Sequence, residues 1–175
     1  MKVRRFKAIV LPHLDAAYRL ARWLVRNEDD AQDLVQDAFL SAFRGFEGFH
    51  GEDGKAWILT IVRNTCYRWL RHARERPPAD RFDEALHSLE EVSAGQMADD
   101  PEAWLLRDEN QRQVHQALEK LRVEFREIIV LRELEGCSYS EIAGIVNIPL
   151  GTVMSRLARA RNLLWRYLVQ ADEES

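Results

Sequence analysis

Four arginines and no acid lie between Gly151 and Arg166, and a planar guanidinium fork suits paired acceptors on a guanine edge or a phosphate rather than bond-making chemistry. Their spacing decides where those forks can point. At about 100° per residue, Val153, Leu157, Ala160 and Leu164 form one apolar stripe. Gly151, Ser155, Ala158, Arg159 and Asn162 then fall on the opposite face, with Thr152 and Arg156 at its flanks. Such a helix fits the major groove, where Arg and Ser bond base edges while neighbouring cations hold phosphates.

The residues just upstream supply what must hold that helix in place. Ser138-Tyr-Ser-Glu141 is a capping box, in which hydroxyl and carboxylate each satisfy an orphan backbone N–H and start a helix. Ile142, Ala143 and Val146 give it a buried face. Asn147-Ile-Pro149 ends it, since Asn tolerates left-handed angles and Pro cannot donate to a continuing helix. Two short helices across a tight turn, the second basic, read as a helix-turn-helix DNA reader.

A second basic stripe lies near the middle of the chain. From Lys55 to Arg76 there are six Lys or Arg against the single Glu75, and the spacing predicts a helix over residues 55–72 that buries Ile58, Val62, Thr65 and Trp69. Its other side shows Thr60, Arg63, Asn64, Tyr67, Arg68 and Arg71, beside a loop carrying Gly45, Gly48, Gly51 and Gly54 with Phe46, Phe49 and His50 interleaved. Cations for a backbone, rings for splayed bases and an amide for a base edge are what a single-strand binder needs. The plainer alternative is a surface helix whose aromatics are core.

No enzyme chemistry is legible. No nucleophile–base pair, phosphate loop or metal-ligand cluster occurs, and His13, His50, His72, His87 and His115 are scattered. Cys66 and Cys137 have no CxxC or His pair beside them, so neither metal nor redox duty is expected, no cofactor is expected, and a reducing cytoplasm is the natural compartment. No apolar run approaches the roughly 18 residues of a membrane span, and Ala8 to Leu11 before Pro12 is too short for an export core.

The net charge of −4 hides a segregation. Ten acids against Arg81 and Arg107 lie between Asp80 and Glu109, so an acidic middle separates the two basic stripes. An acidic total does not exclude nucleic acid when the basic footprint is local. The chain therefore reads as all-α, with two small helical domains joined by a flexible acidic linker: residues 1–76, 77–100 and 101–175. Helices are expected over residues 11–26, 29–46, 55–72, 101–121 and 125–134 ahead of the helix-turn-helix; Trp104, Leu105, Val114, Leu118 and Leu121 are the apolar residues of the fourth. Pro77-Pro78 opens the linker and Asp99-Asp-Pro101 starts the next helix.

Four segments in this order carry a resemblance: Asp30-Ala-Gln-Asp-Leu-Val-Gln-Asp-Ala-Phe39, Ala56-Trp-Ile-Leu-Thr-Ile-Val-Arg-Asn64, Phe125-Arg-Glu-Ile-Ile-Val-Leu-Arg-Glu-Leu-Glu-Gly136, and Ser138-Tyr-Ser-Glu-Ile-Ala143 with Gly151-Thr-Val153. Together they resemble the bacterial extracytoplasmic-function (ECF) sigma factors, of the sigma-70 family. The resemblance implies a transcription initiation factor that binds core RNA polymerase at its clamp and flap and directs it to a promoter. It implies that Asp33, Leu34, Gln36, Asp37 and Phe39 dock on the polymerase. It further implies that the loop with Gly51, Glu52, Asp53 and Lys55, and the face with Arg63, Asn64, Tyr67, Arg68 and Arg71, melt and hold the single-stranded minus-ten element, with a flipped base near Asn64. By the same resemblance Gly151, Thr152, Ser155, Arg156, Ala158, Arg159 and Arg161 engage the minus-35 duplex, Thr152, Arg156 and Arg161 nearer phosphates. An anti-sigma factor is an expected partner, without direct membrane insertion of this chain, and the acidic linker is expected to thread the RNA exit region.

Two other readings compete. A ligand-responsive repressor would also own a helix-turn-helix, but should bring an effector pocket or a dimerisation helix. A mimic that only titrates an anti-sigma factor has no need of Arg63, Asn64, Arg68, Ser155 and Arg159 together.

Overall fold

The computed structural model describes the backbone of residues 1–76 and 101–174, and side chains over 1–76 and 108–174. The stretch read as the linker, and Trp104 and Leu105, lie outside the described side chains. Every regular element among the described residues is helical.

The first lobe contains α1 (Lys2–Ile9), α2 (Leu14–Val25), α3 (Glu28–Gly45) and α4 (Gly54–Glu75). α1 is a finding against expectation. The first helix was expected over residues 11–26, with none before it, whereas Phe6 buries in edge-to-face contact with Phe43 and Phe46, each at 5.2 Å. That aromatic anchor makes the amphipathic start fold. Pro12 then lies in a 3-10 turn, Leu11–His13, that separates α1 from α2.

α2 buries Ala16, Ala17, Leu20, Ala21 and Leu24, and its small residues let α3 and α4 approach closely. Asn27 caps α3 by accepting from the Asp30 amide at 2.9 Å, and Glu28, Asp29 and Asp30 suit the positive end of the helix dipole. Asp53 caps α4 through the Ala56 amide at 3.0 Å. Gly54 is required sterically, because a Cβ there would stand 2.3 Å from the Ile9 carbonyl oxygen.

α4 is longer than the pattern suggested and rotated. Ile58, Leu59, Val62 and Cys66 are buried, while Thr65 and Trp69 are only half-buried. The buried row takes Leu59 and Cys66 in place of Thr65 and Trp69, a turn of the inner face by about one residue.

The second lobe contains α5 (Pro101–Lys120), α6 (Val123–Ile129), α7 (Tyr139–Val146) and α8 (Leu150–Glu173). A π turn, Val130–Leu134, extends α6, and Gly136 at φ 66° leads the chain out of it. Leu118 and Leu121 of this lobe are buried as expected, but Val114 is 40% exposed. Both hydrogen bonds of the Ser138/Glu141 capping box form. Asn147 takes the left-handed conformation at φ 58° and ends α7. Ile145 joins Ile142 and Val146 in the core where Ala143 was expected, and Ala143 is half-buried. Val153, Leu157 and Ala160 bury against α6 and α7.

The two lobes pack against each other. α4 lies along α7 and α2 along α6, so the buried side chains of both form one continuous core.

Candidate nucleic-acid interface

Two basic faces are built, and they differ in what covers them. On α8, Gly151, Ser155, Ala158, Arg159 and Asn162 are all exposed, because the buried row of Val153, Leu157 and Ala160 fixes the helix phase. Thr152 and Arg156 are half-buried at the flanks. Arg161 turns toward the protein body, donating to Glu133 Oε1 at 2.6 Å from Nη2 and 3.2 Å from Nε. Leu150 and Met154 add exposed apolar surface to the same helix, suited to a thymine methyl group.

On α4, Asn64, Arg68 and Arg71 are exposed. Arg63 is not free. Its Nε donates to Glu127 Oε2 at 3.0 Å and its Nη2 to Oε1 at 3.3 Å, a forked pair in which the Glu127 side chain is fully buried and that of Arg63 is 17% exposed. The Arg63 guanidinium also lies over the Tyr67 ring at 4.0 Å. The Tyr67 hydroxyl is buried without a hydrogen-bond partner. Burial pushes the Tyr67 phenol up, reinforced by Glu127. Burial likewise raises the Glu127 carboxyl, opposed by Arg63 and by Arg156 of α8. Such a pair is costly to desolvate and very costly to break on one side only.

The loop before α4 is exposed at Gly51, Glu52 and Asp53, and Lys55 donates its Nζ proton to the Glu135 carbonyl of the second lobe. Its rings are not platforms for bases. Phe46 and Phe49 are buried and pack with each other and with Trp57, the Phe49–Trp57 centroids 4.7 Å apart, so the plainer alternative for these aromatics holds. Their burial fixes the loop that carries the caps and the cation.

On α3, Asp33, Gln36 and Asp37 share an exposed face with Leu40, which is 56% exposed; Phe39 is half-buried and Leu34 points into the core. The apolar part of that surface is therefore Leu40 and Phe39, not Leu34.

Sequence reasoning missed the residues that join the lobes. Arg19 makes a forked pair with Glu135 at 2.7 and 3.1 Å. Arg126 is buried and donates to the Trp23 carbonyl at 2.6 Å and the Leu121 carbonyl at 2.9 Å, clamping the C-terminal ends of α2 and α5. Desolvation lowers its pKa to about 10. One signal existed: Arg126-Glu127 runs directly into Ile128-Ile-Val-Leu131, and charges that share a buried apolar run need partners. Among the described residues no group of His, Cys, Asp and Glu could hold a metal, and Cys66 and Cys137 are buried free thiols pushed up to about 12 and about 11 by desolvation.

Known proteins resemble the chain on both lobes. The family description "Sigma-70 region 2" matches residues 9–76 and "Sigma-70, region 4" residues 111–164. An RNA polymerase sigma-H factor of Pseudomonas aeruginosa is 34% identical over 92% of this chain and 84% of its own length. An ECF RNA polymerase sigma-E factor of Escherichia coli is 37% identical over 77% of this chain and 72% of its own length. Among solved structures, the sigma factor RpoE of Bartonella quintana, in complex with the anti-sigma factor NepR, is similar with a TM-score of 0.72 and 32% identity, covering 94% of this chain and 97% of that one. CnrH, in complex with the cytosolic domain of CnrY, matches with a TM-score of 0.62 and 28% identity over 97% and 90%. Two helical lobes, a capped helix-turn-helix and these likenesses across both lobes agree: the chain belongs to the ECF group of the sigma-70 family, sigma factors that bind core RNA polymerase and direct it to promoters.

Proposed function

We propose that the two lobes divide promoter recognition between a melted strand and a duplex. Residues 1–76 hold the single-stranded minus-ten element on Asn64, Arg68 and Arg71, with Arg63 and Tyr67 joining once they are uncovered, and the loop of Gly51, Glu52, Asp53 and Lys55 alongside. Residues 101–175 read the minus-35 duplex through Ser155, Ala158 and Arg159, with Gly151 and Thr152 near the backbone. Asp33, Gln36, Asp37 and Phe39 dock on the polymerase clamp; Leu34 supports that face from beneath. Residues 77–100 tether the lobes, so that engagement of one element raises the effective concentration of the other lobe at its own.

One observation carries this reading: the helix phase of α8, set by three buried residues, leaves an Arg, a Ser and an Ala exposed in the middle of a basic face. The protein acts by binding, without catalysis, in the bacterial cytoplasm. No helix among the described residues is long and apolar enough to cross a membrane. An anti-sigma factor restrains it; support comes from the similar structures of RpoE and CnrH, each solved with such a partner or a cytosolic domain of another protein. The test is transcription in vitro by core polymerase plus this protein on a promoter library. Recovery of promoters sharing an upstream and a downstream element is expected; transcription no more selective than that of core alone contradicts the proposal.

A further inference from the structure

Arg63 and Tyr67 cannot serve two partners at once. Both belong to the face assigned to the minus-ten strand; Arg63 is taken up by Glu127 of the other lobe, and its guanidinium covers the Tyr67 ring. A carboxylate held in a fork by a guanidinium, beside a ring, offers the same chemistry as a backbone phosphate beside a base. We propose that the second lobe is an internal competitor of promoter DNA: Glu127 occupies the phosphate position on the α4 face, and promoter strand and α6 exclude each other. This rests on the assignment of that face to the melted strand.

Three further links hold the competitor in place without using the proposed DNA face of α4. Arg19 binds Glu135, Arg126 binds the Trp23 carbonyl, and Arg26 approaches Glu119 at 3.9 Å. Lys55 adds a bond to the Glu135 carbonyl from the first turn of α4. The charges are matched across the lobes: Arg19 and Arg63 of the first meet the carboxylates of Glu135 and Glu127 of the second. α7 closes over the same region, leaving between it and α4 a cleft of ≈370 Å³ lined by Asp53, Trp57, Thr60, Glu141 and Gly144 among others. Closure is thus written into this chain's own residues.

The exchange is decided by which partner satisfies Arg63. While the lobes are docked, Glu127 is fully buried. Once they part, both groups are solvated, and Arg63 is free for a phosphate. The apparent affinity for single strands is the intrinsic one reduced by the open fraction.

The test uses the full chain with spin labels at Ser41→Cys and Gln170→Cys, both exposed positions on different lobes, and a short fluorescent single strand of mixed sequence. Glu127→Gln keeps the volume and removes the charge; Arg19→Gln loosens the docking at a pair outside the proposed DNA face. Both are expected to lengthen the interlobe distance and tighten single-strand binding by about tenfold. Arg63→Gln should lengthen the distance without that gain. The double variant Arg63→Glu with Glu127→Arg should restore the short distance and leave strand binding weak. If Glu127→Gln proves unfolded, Arg19→Gln decides alone. Longer distances with unchanged strand binding in both variants overturn the competition, as do unchanged distances. Arg68→Ala separates the two ideas: weaker strand binding there keeps the minus-ten assignment even if the internal competitor fails, and no weakening refutes the assignment itself.

Discussion

The basic faces of α4 and α8 are alike in composition and opposite in state. Arg159, Ser155 and Ala158 on α8 meet solvent, whereas Arg63 on α4 meets a buried carboxylate and lies over the Tyr67 ring. Duplex DNA needs no opening to be read through its major groove, so a permanently exposed reader suits it. A face that captures unstacked bases gains from being covered until polymerase places it, since single-strand contacts through cations and rings have little sequence selectivity of their own. The cover is assembled from parts the second lobe uses for its own stability: α6 packs on α8 and at the same time presents Glu127 to α4.

The sharpest way to break the contrast is to remove what holds the lobes together. Arg126→Met keeps the apolar stem of the side chain and leaves the Trp23 and Leu121 carbonyls without their donor. Unfolding stability in urea should fall by about 2–4 kcal/mol, because unpaired buried acceptors are costly while the relief of a desolvated cation offsets only part of that. A fall of a few tenths would mean that the clamp is incidental to the docked arrangement.

A smaller effect is expected on the open face. Arg159→Ala should lose about 1–3 kcal/mol of discrimination at one or two base pairs of the upstream element, measured on a saturation library with holoenzyme. Arg161→Ala should act on all sequences alike and flatten the log–log salt dependence by about one unit, and less if its exposed pair with Glu133 already neutralises it. Exchange of the two patterns would mean that the reading face of α8 is turned toward Arg161.

Smaller again is the polymerase surface. Asp33→Lys with Asp37→Lys reverses two exposed charges on α3 and should weaken holoenzyme assembly by about 1 kcal/mol, chiefly through a slower association that depends on salt. Unchanged assembly in a titration against core enzyme would remove α3 from the docking surface.

Much of this architecture is legible in the chain because local chemistry carries it. Ser138 with Glu141 starts α7, Asn147 stops it, and the spacing of Val153, Leu157 and Ala160 phases α8; each is a short-range signal that the folded protein keeps. α4 was legible as a helix but not in its rotation, since Thr65 and Trp69 compete with Leu59 and Cys66 for the inner face and only packing against the other helices decides it. α1 was missed because its single buried side chain, Phe6, is anchored by Phe43 and Phe46 far along the sequence. The same holds for the loop aromatics. Gly45 to Gly54 with interleaved rings fits base stacking as well as it fits a core, and burial against Trp57 selects the core. The docking of the lobes was not legible at all. Arg19 with Glu135, and Arg63 with Glu127, are separated by more than sixty residues, and two charge-segregated domains on a tether are compatible with any relative placement.

The division of labour between the two faces is tested most directly by comparing Asn64→Ala and Arg159→Ala in holoenzyme on one promoter taken from the library, scoring upstream protection and permanganate-reactive thymines in the same samples. Asn64 is exposed on α4 and outside the Glu127 pair, so its loss should leave upstream protection intact and reduce the reactive thymines, whereas Arg159→Ala should weaken upstream protection first. Equal loss of both signals in Asn64→Ala, with the protein folded, would contradict the assignment of strand and duplex to separate lobes.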